Sequence, residues 1–168
     1  DSPIQGASFG LSRNWDAVDQ VGVSAGVKEG AWQAGLALID AEWRRALEHG
    51  FTDAELAEAV ANRRTALDNA VKGVTTRRSE GLAAGLLSMA DGDGRFIFSR
   101  PEVARDLFEQ VAPTLTAASV SAAFRARHAG YGEPLVRVTA KKPIEGGAPA
   151  VLAAWRQATA LAVAPPAA

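Results

Sequence analysis

The chain has 168 residues, 48% hydrophobic and 22% charged, the balance of one ordinary globular domain or two small pieces. Its formal net charge of -1 excludes a strong global field for nucleic acid or an anionic membrane. Cysteine is absent, which excludes disulfides, thiolate metal sites, iron–sulfur clusters and a cysteine nucleophile but does not fix the compartment. Alanine makes up about a fifth of the residues, which favours helix.

The opening Asp1-Ser2-Pro3 has no Met, no basic region and no apolar core of a signal peptide, and reads as a piece of a longer protein. Ala7, Phe9 and Leu11 alternate with Ser8, Gly10 and Ser12. Val21, Val23, Ala25 and Val27 alternate with Gly22, Ser24, Gly26 and Lys28. The two runs predict an antiparallel hairpin with one apolar face. The period then lengthens. Trp32, Leu36, Ile39, Trp43 and Leu47 form one stripe of an amphipathic helix, stopped at Gly50. Thr52 and Glu55 form a capping box for a helix over residues 53–72, which carries Leu56, Val60, Leu67 and Val71 and ends at Gly73.

A third helix is expected from about Thr76, with Leu82, Leu86 and Met89 on its face, ending at the turn cluster Asp91-Gly92-Asp93-Gly94. Ser99-Arg100-Pro101-Glu102 reads as another capping box, before a helix with Val103, Leu107, Phe108 and Val111. Thr116 caps a shorter helix with Val120 and Phe124, ending near Gly130. Residues 135–140 predict a strand with Val136, Val138 and Ala140 on one face, and residues 149–162 a last helix. The C-terminal tail is the most apolar stretch, but Arg156, Gln157 and Pro165-Pro166 exclude a membrane span. The fold class is α+β, with helices packed on a small antiparallel sheet.

Gly22-Val23-Ser24-Ala25-Gly26 matches the G-x-S-x-G pattern of a nucleophile elbow, with His128 and Asp91, Asp93 or Asp106 as partners on paper. An elbow needs a strand-to-helix turn, whereas Ser24 lies inside an alternating strand pattern. Gly22, Ser24 and Gly26 then form a small-residue face suited to close packing. Asp91-Gly92-Asp93-Gly94 resembles the start of a calcium loop but lacks the third acidic ligand and the terminal Glu, so a tight turn is the simpler reading. Arg77-Arg78 near Lys72 could meet phosphate, yet without interleaved aromatics these residues, like Arg44-Arg45 and Arg63-Arg64, read as solvated helix surface. His49 and His128 each stand near a helix C-terminus, where the dipole favours imidazolium. Neither has a metal-ligand partner at motif spacing, and no H-E-x-x-H, H-x-x-E-H or P-loop pattern occurs. Trp15, Trp32, Trp43 and Trp155 read as core or interface anchors rather than a ligand cage.

The junction Glu48-His49-Gly50-Phe51-Thr52-Asp53-Ala54-Glu55-Leu56, set between a helix and a long helix, resembles that of the pitrilysin/insulinase-type zinc metallopeptidases. Arg78-Ser79 with Leu82-Ala83, Pro113-Thr114-Leu115-Thr116 before Val120, and Leu135-Val136-Arg137-Val138 as closing strand extend the resemblance in order and spacing. It implies α+β domains, each an antiparallel sheet packed by helices, whose two halves close around an unfolded peptide. It also implies a zinc site in the parent, built from H-x-x-E-H and a downstream Glu. This chain has no such helix, so no residue here inherits a catalytic, cofactor-binding or metal role.

The resemblance implies an incomplete half of a metallopeptidase-like α/β sandwich domain. Residues 1–142 would be the C-terminal part of a non-catalytic domain, and residues 143–168 a linker and the start of the next segment. The expected function is a structural part of a zinc-dependent metalloendopeptidase, lining the chamber in which unfolded peptides are degraded. The expected partners are the remaining domains of the parent, with its peptide substrates, and a second copy of the chain through open sheet edges. Some bacterial relatives are periplasmic, and lack of cysteine is compatible with that compartment. The other readings are a stand-alone helical interaction module without enzyme ancestry and the Ser24 hydrolase.

Overall fold

The computed structural model describes residues 2–14, 18–91, 97–129 and 133–166. The alternating N-terminal runs form strands β1 (Ile4–Asn14) and β2 (Val18–Val27), paired antiparallel in the register Ser8↔Ser24 and Gly10↔Gly22. Among the described residues six α-helices follow: α1 (Trp32–Glu48), α2 (Asp53–Lys72), α3 (Ser79–Asp91), α4 (Pro101–Val111), α5 (Ala117–His128) and α6 (Gly147–Thr159). The molecule is α+β, as its periodicities require.

The chain divides into two compact units, Asp1–Gly50 with Ser121–Ala168, and Phe51–Val120. In the first unit, α1 packs on β2 and on α6. Gly35 lets β2 approach, since a Cβ there would overlap the Val27 side chain. Ala46 of α1 and Ala158 of α6 are buried, small residues that allow two helix backbones close contact. Asp40 is 3% exposed, and its carboxylate meets Arg44 Nη2 at 2.7 Å. Arg44 also donates to the carbonyls of Leu161 and Ala158, at 2.8 and 3.2 Å, so one guanidinium holds a buried carboxylate and caps the end of α6. In the same way Arg125 of α5 donates to the carbonyls of Leu47 and Glu48 at the end of α1.

In the second unit, α2 packs on α4. Thr52 and Glu55 make the expected reciprocal capping box, with Thr52 Oγ1 accepting from the Glu55 N–H at 3.1 Å and Glu55 Oε2 from the Thr52 N–H at 2.8 Å. Arg64 of α2 forks onto Glu109 of α4 through Nε–Oε1 at 2.7 Å and Nη2–Oε2 at 3.0 Å. The Phe98 ring lies over Gly85 of α3, where a Cβ would overlap it.

Four sequence expectations are corrected. Residues 135–140 form no strand: among the described residues they pair with no other segment, and a strand needs a neighbour to receive its N–H and C=O groups. Ser99 and Glu102 make no capping box: the residue before a proline is held extended, so Arg100 (φ -66, ψ 146) becomes the N-cap and Ser99 falls outside the helix. The third helix starts at Ser79 rather than Thr76, after a 3-10 turn over Val74–Thr76 and an extended Arg77. Leu86 and Met89 on its face are 51% and 39% exposed. The last helix starts two residues early, at Gly147, behind the left-handed Gly146 (φ 77).

Candidate functional site

Ser24 sits within β2, and its Oγ lies 2.9 Å from Ser8 Oγ across the ladder. Phe9, the neighbour of Ser8, points to the other face of the hairpin by the alternation of a strand. There it meets Trp43 at 6.0 Å, Phe124 at 6.2 Å and His128 at 6.3 Å between ring centroids. His128 therefore stands across the sheet from Ser24 and cannot serve it as a base. The strand setting also excludes the strained turn a nucleophile elbow needs.

The His128 ring packs edge-on against Trp43 at 4.6 Å and beside Phe124 at 4.2 Å, with Nδ1 at the Phe124 carbonyl. Phe9, Trp43, Phe124 and His128 thus join β1, α1 and α5 in one aromatic cluster. Trp43 is the anchor its helix stripe implies. His49 ends α1 and its Nε2 lies 3.1 Å from the Val163 carbonyl. The two histidines are each committed to a packing contact, and among the described residues no three of His, Cys, Asp and Glu gather at metal distance.

The arginine pairs divide in role. Arg44 is a structural clamp rather than the solvated surface its spacing implies, whereas Arg64 stays largely solvated while it pairs with Glu109. Asp40 holds the Arg44 proton more firmly than usual through its hydrogen bond, and Glu109 does the same for Arg64. The Glu109 carboxyl is correspondingly held below the ordinary carboxylate range by Arg64. Glu102 is also held low, chiefly by its own backbone N–H at the start of α4 and then by Arg100. Arg78 pairs with Glu80 at 3.3 Å, both well exposed. Asp91 closes α3, while Trp15 and the rest of the turn cluster, Gly92-Asp93-Gly94, lie outside the described residues.

A broad concavity belongs to the first unit. Residues 133–142 and one side of α6 line a groove of about 1080 Å³. Val136, Val138, Val151 and Trp155 give it an apolar floor, and Arg137, Lys141, Lys142 and Arg156 line it with cations. Sequence reasoning missed this site. The alternation at 135–140 and the pair Lys141-Lys142 were the available signal, but α6 folding back beside them was not.

No protein-family model matches the chain, and no curated protein matches it. Among solved structures it is similar to the first half of the periplasmic protease PqqL from Escherichia coli, with TM-score 0.64 and 19% identity over 98% of this chain and 36% of that one. At this identity the likeness shows the fold. The chain spans little more than a third of that solved chain's length. The chain therefore has the α+β fold of part of that protease's first half, in agreement with the fold implied by the resemblance of the Glu48 to Leu56 junction.

Proposed function

We propose that the chain is a non-catalytic, structural part of a zinc-dependent metalloendopeptidase, forming chamber wall around unfolded peptides. One observation carries this reading: nearly the whole chain, 98%, superposes on part of a periplasmic protease half, while its sequence has no H-x-x-E-H. The thin core supports it. Phe9, Leu11, Leu107 and Val111 are about half exposed, as expected of elements that meet further layers of a larger protein. In the same proposal the remaining domains of the parent are the partners, residues 143–168 lead toward the following segment, and the parent shares the neighbour's periplasmic compartment.

The test has two arms. The reading frame around this segment should encode a family-like domain with H-x-x-E-H and a downstream Glu. The purified chain should leave a fluorogenic peptide mixture intact, with or without zinc. Cleavage by this chain alone, lost on chelation, would overturn the non-catalytic role. A frame with no peptidase-like domain on either side would overturn the parentage.

A further inference from the structure

Residues 160–166 leave the end of α6 and are held by side chains of α1. The last backbone hydrogen bond runs from the Leu161 N–H to the Ala158 carbonyl, and among the described residues none reaches residues 162–166. Burial holds them little. Val163 and Pro166 are half-buried, Ala162, Ala164 and Pro165 are exposed, and Leu161 is 62% exposed. Two side chains near the end of α1 supply the hold. Arg44 Nη1 donates to the Leu161 carbonyl at 2.8 Å. His49 Nε2 lies 3.1 Å from the Val163 carbonyl, and since a carbonyl only accepts, Nε2 carries the proton.

Arg44 keeps its place whether or not the segment lies on it. Its Nε and Nη2 meet the buried Asp40 carboxylate at 2.9 and 2.7 Å, so the planar guanidinium is fixed from one edge and Nη1 is left for the Leu161 carbonyl. The same Nη1 has a second acceptor nearby. Glu48 Oε1 lies 3.9 Å away, on a side chain that is 50% exposed. That separation is too long for a hydrogen bond, so here the Leu161 carbonyl holds the N–H while the Glu48 carboxylate stands beside it. A donor between two acceptors can exchange one for the other at small cost, because neither arrangement leaves it unpaired.

We infer that residues 162–166 form a latch with two states, docked on α1 through Arg44 and His49 or released with Glu48 in place of the Leu161 carbonyl. In the released state the Glu48 side chain moves onto Arg44 Nη1, and the segment swings out by rotation at Leu161. The end of α6 stays clamped meanwhile, because Arg44 Nη2 keeps the Ala158 carbonyl at 3.2 Å. Release uncovers only Val163 and Pro166 and breaks no backbone hydrogen bond, which puts the segment among the least stable parts of the fold. Every group involved lies in the first unit, so the latch is read on this chain alone and goes beyond the proposed structural role.

The chain has no cysteine, so introduced cysteines take spin labels at chosen sites. Gln33 of α1, Ala153 of α6 and Ala164 of the segment are exposed, and double electron–electron resonance on the whole chain reads the distances between them. Gln33→Cys with Ala164→Cys should give one narrow distance. Arg44→Lys with His49→Ala keeps a cation beside Asp40 but removes the fork and the second anchor. This background should at least double the width for that pair and leave the pair Gln33→Cys with Ala153→Cys narrow. His49→Ala alone should release part of the population, and adding Glu48→Gln should cut that part at least twofold, because a neutral amide competes less well for Nη1. A broad distance without the anchor substitutions, or a width that they leave unchanged, would overturn the latch. Broadening of both pairs would overturn it as well, since the two side chains would then be fixing α6 itself. A released population unmoved by Glu48→Gln would overturn Glu48 as the alternative acceptor.

Discussion

Gly50 and Gly30 share a backbone conformation and differ in what surrounds them. Both are left-handed, with φ of +78 and +79, where an L side chain is strained. Around Gly30 a Cβ meets nothing within 4 Å. At Gly50 it would meet Ser121 Oγ at 2.6 Å and Ser121 Cβ at 2.9 Å, and Ser121 is itself buried. Gly30→Ala should therefore cost the backbone strain alone, about 1 kcal/mol. Gly50→Ala should add overpacking and cost about 2–3 kcal/mol. Urea denaturation followed by far-UV circular dichroism measures both. Equal losses would mean that the α1–α5 contact relaxes around the new methyl. The sequence marked Gly50 as a helix stop. It could not show that Ser121, far along the chain, comes back to close over it.

At the scale of elements, the ion pair between α2 and α4 makes the pH argument. Arg64 holds the Glu109 carboxyl below its ordinary range. A group depressed in the folded state adds stability above its unfolded-state pKa and loses it as pH falls through the folded value. The urea midpoint of the native chain should therefore exceed that of Arg64→Gln near neutrality. The gap should close as the solution is acidified below the usual glutamate range. It should also be small, since the two side chains are 46% and 41% exposed and solvent screens them. A gap that persists unchanged at low pH would show that Arg64 acts through packing of its stem, not through its charge. Such pairs mark the limit of what the sequence discloses. Local devices were legible: the hairpin alternation, the α1 stripe, and the Thr52–Glu55 capping box, each written in residues a few positions apart. The clamps that join elements, Arg44 to the end of α6 and Arg125 to the end of α1, link residues far apart, and their arginines look like any solvated pair. The strand expected at residues 135–140 does not form, although Val136 and Val138 keep the alternate burial that suggested it. What an alternating pattern cannot supply is the neighbouring segment that a strand needs.

At the scale of the whole molecule, the hairpin sets the question of association. A two-stranded sheet is marginal by itself in water, and here α1 and α5 cover one face only in part. Phe9 and Leu11 stay 47% and 50% exposed. The opposite face carries Gly6, Gly10, Gly22 and Gly26, and a Cβ on any of them would meet nothing within 4 Å. β1 and β2 pair with each other and, among the described residues, with no third strand. Their outer edges therefore present rows of backbone donors and acceptors to any strand that arrives, and the most abundant strand in a pure solution belongs to another copy. We expect the isolated chain to dimerise through these edges as its concentration rises, with a mass by light scattering that moves from one chain toward two. Lysine at Gly10 and Gly22 enters open space, so it should leave the helical signal intact while charging the hairpin against edge pairing. The double variant should stay monomeric at concentrations where the native chain is dimeric. A native chain that remains a monomer throughout would mean that the twist of the hairpin is protection enough, and that the open edges are filled only when the rest of a parent protein is present.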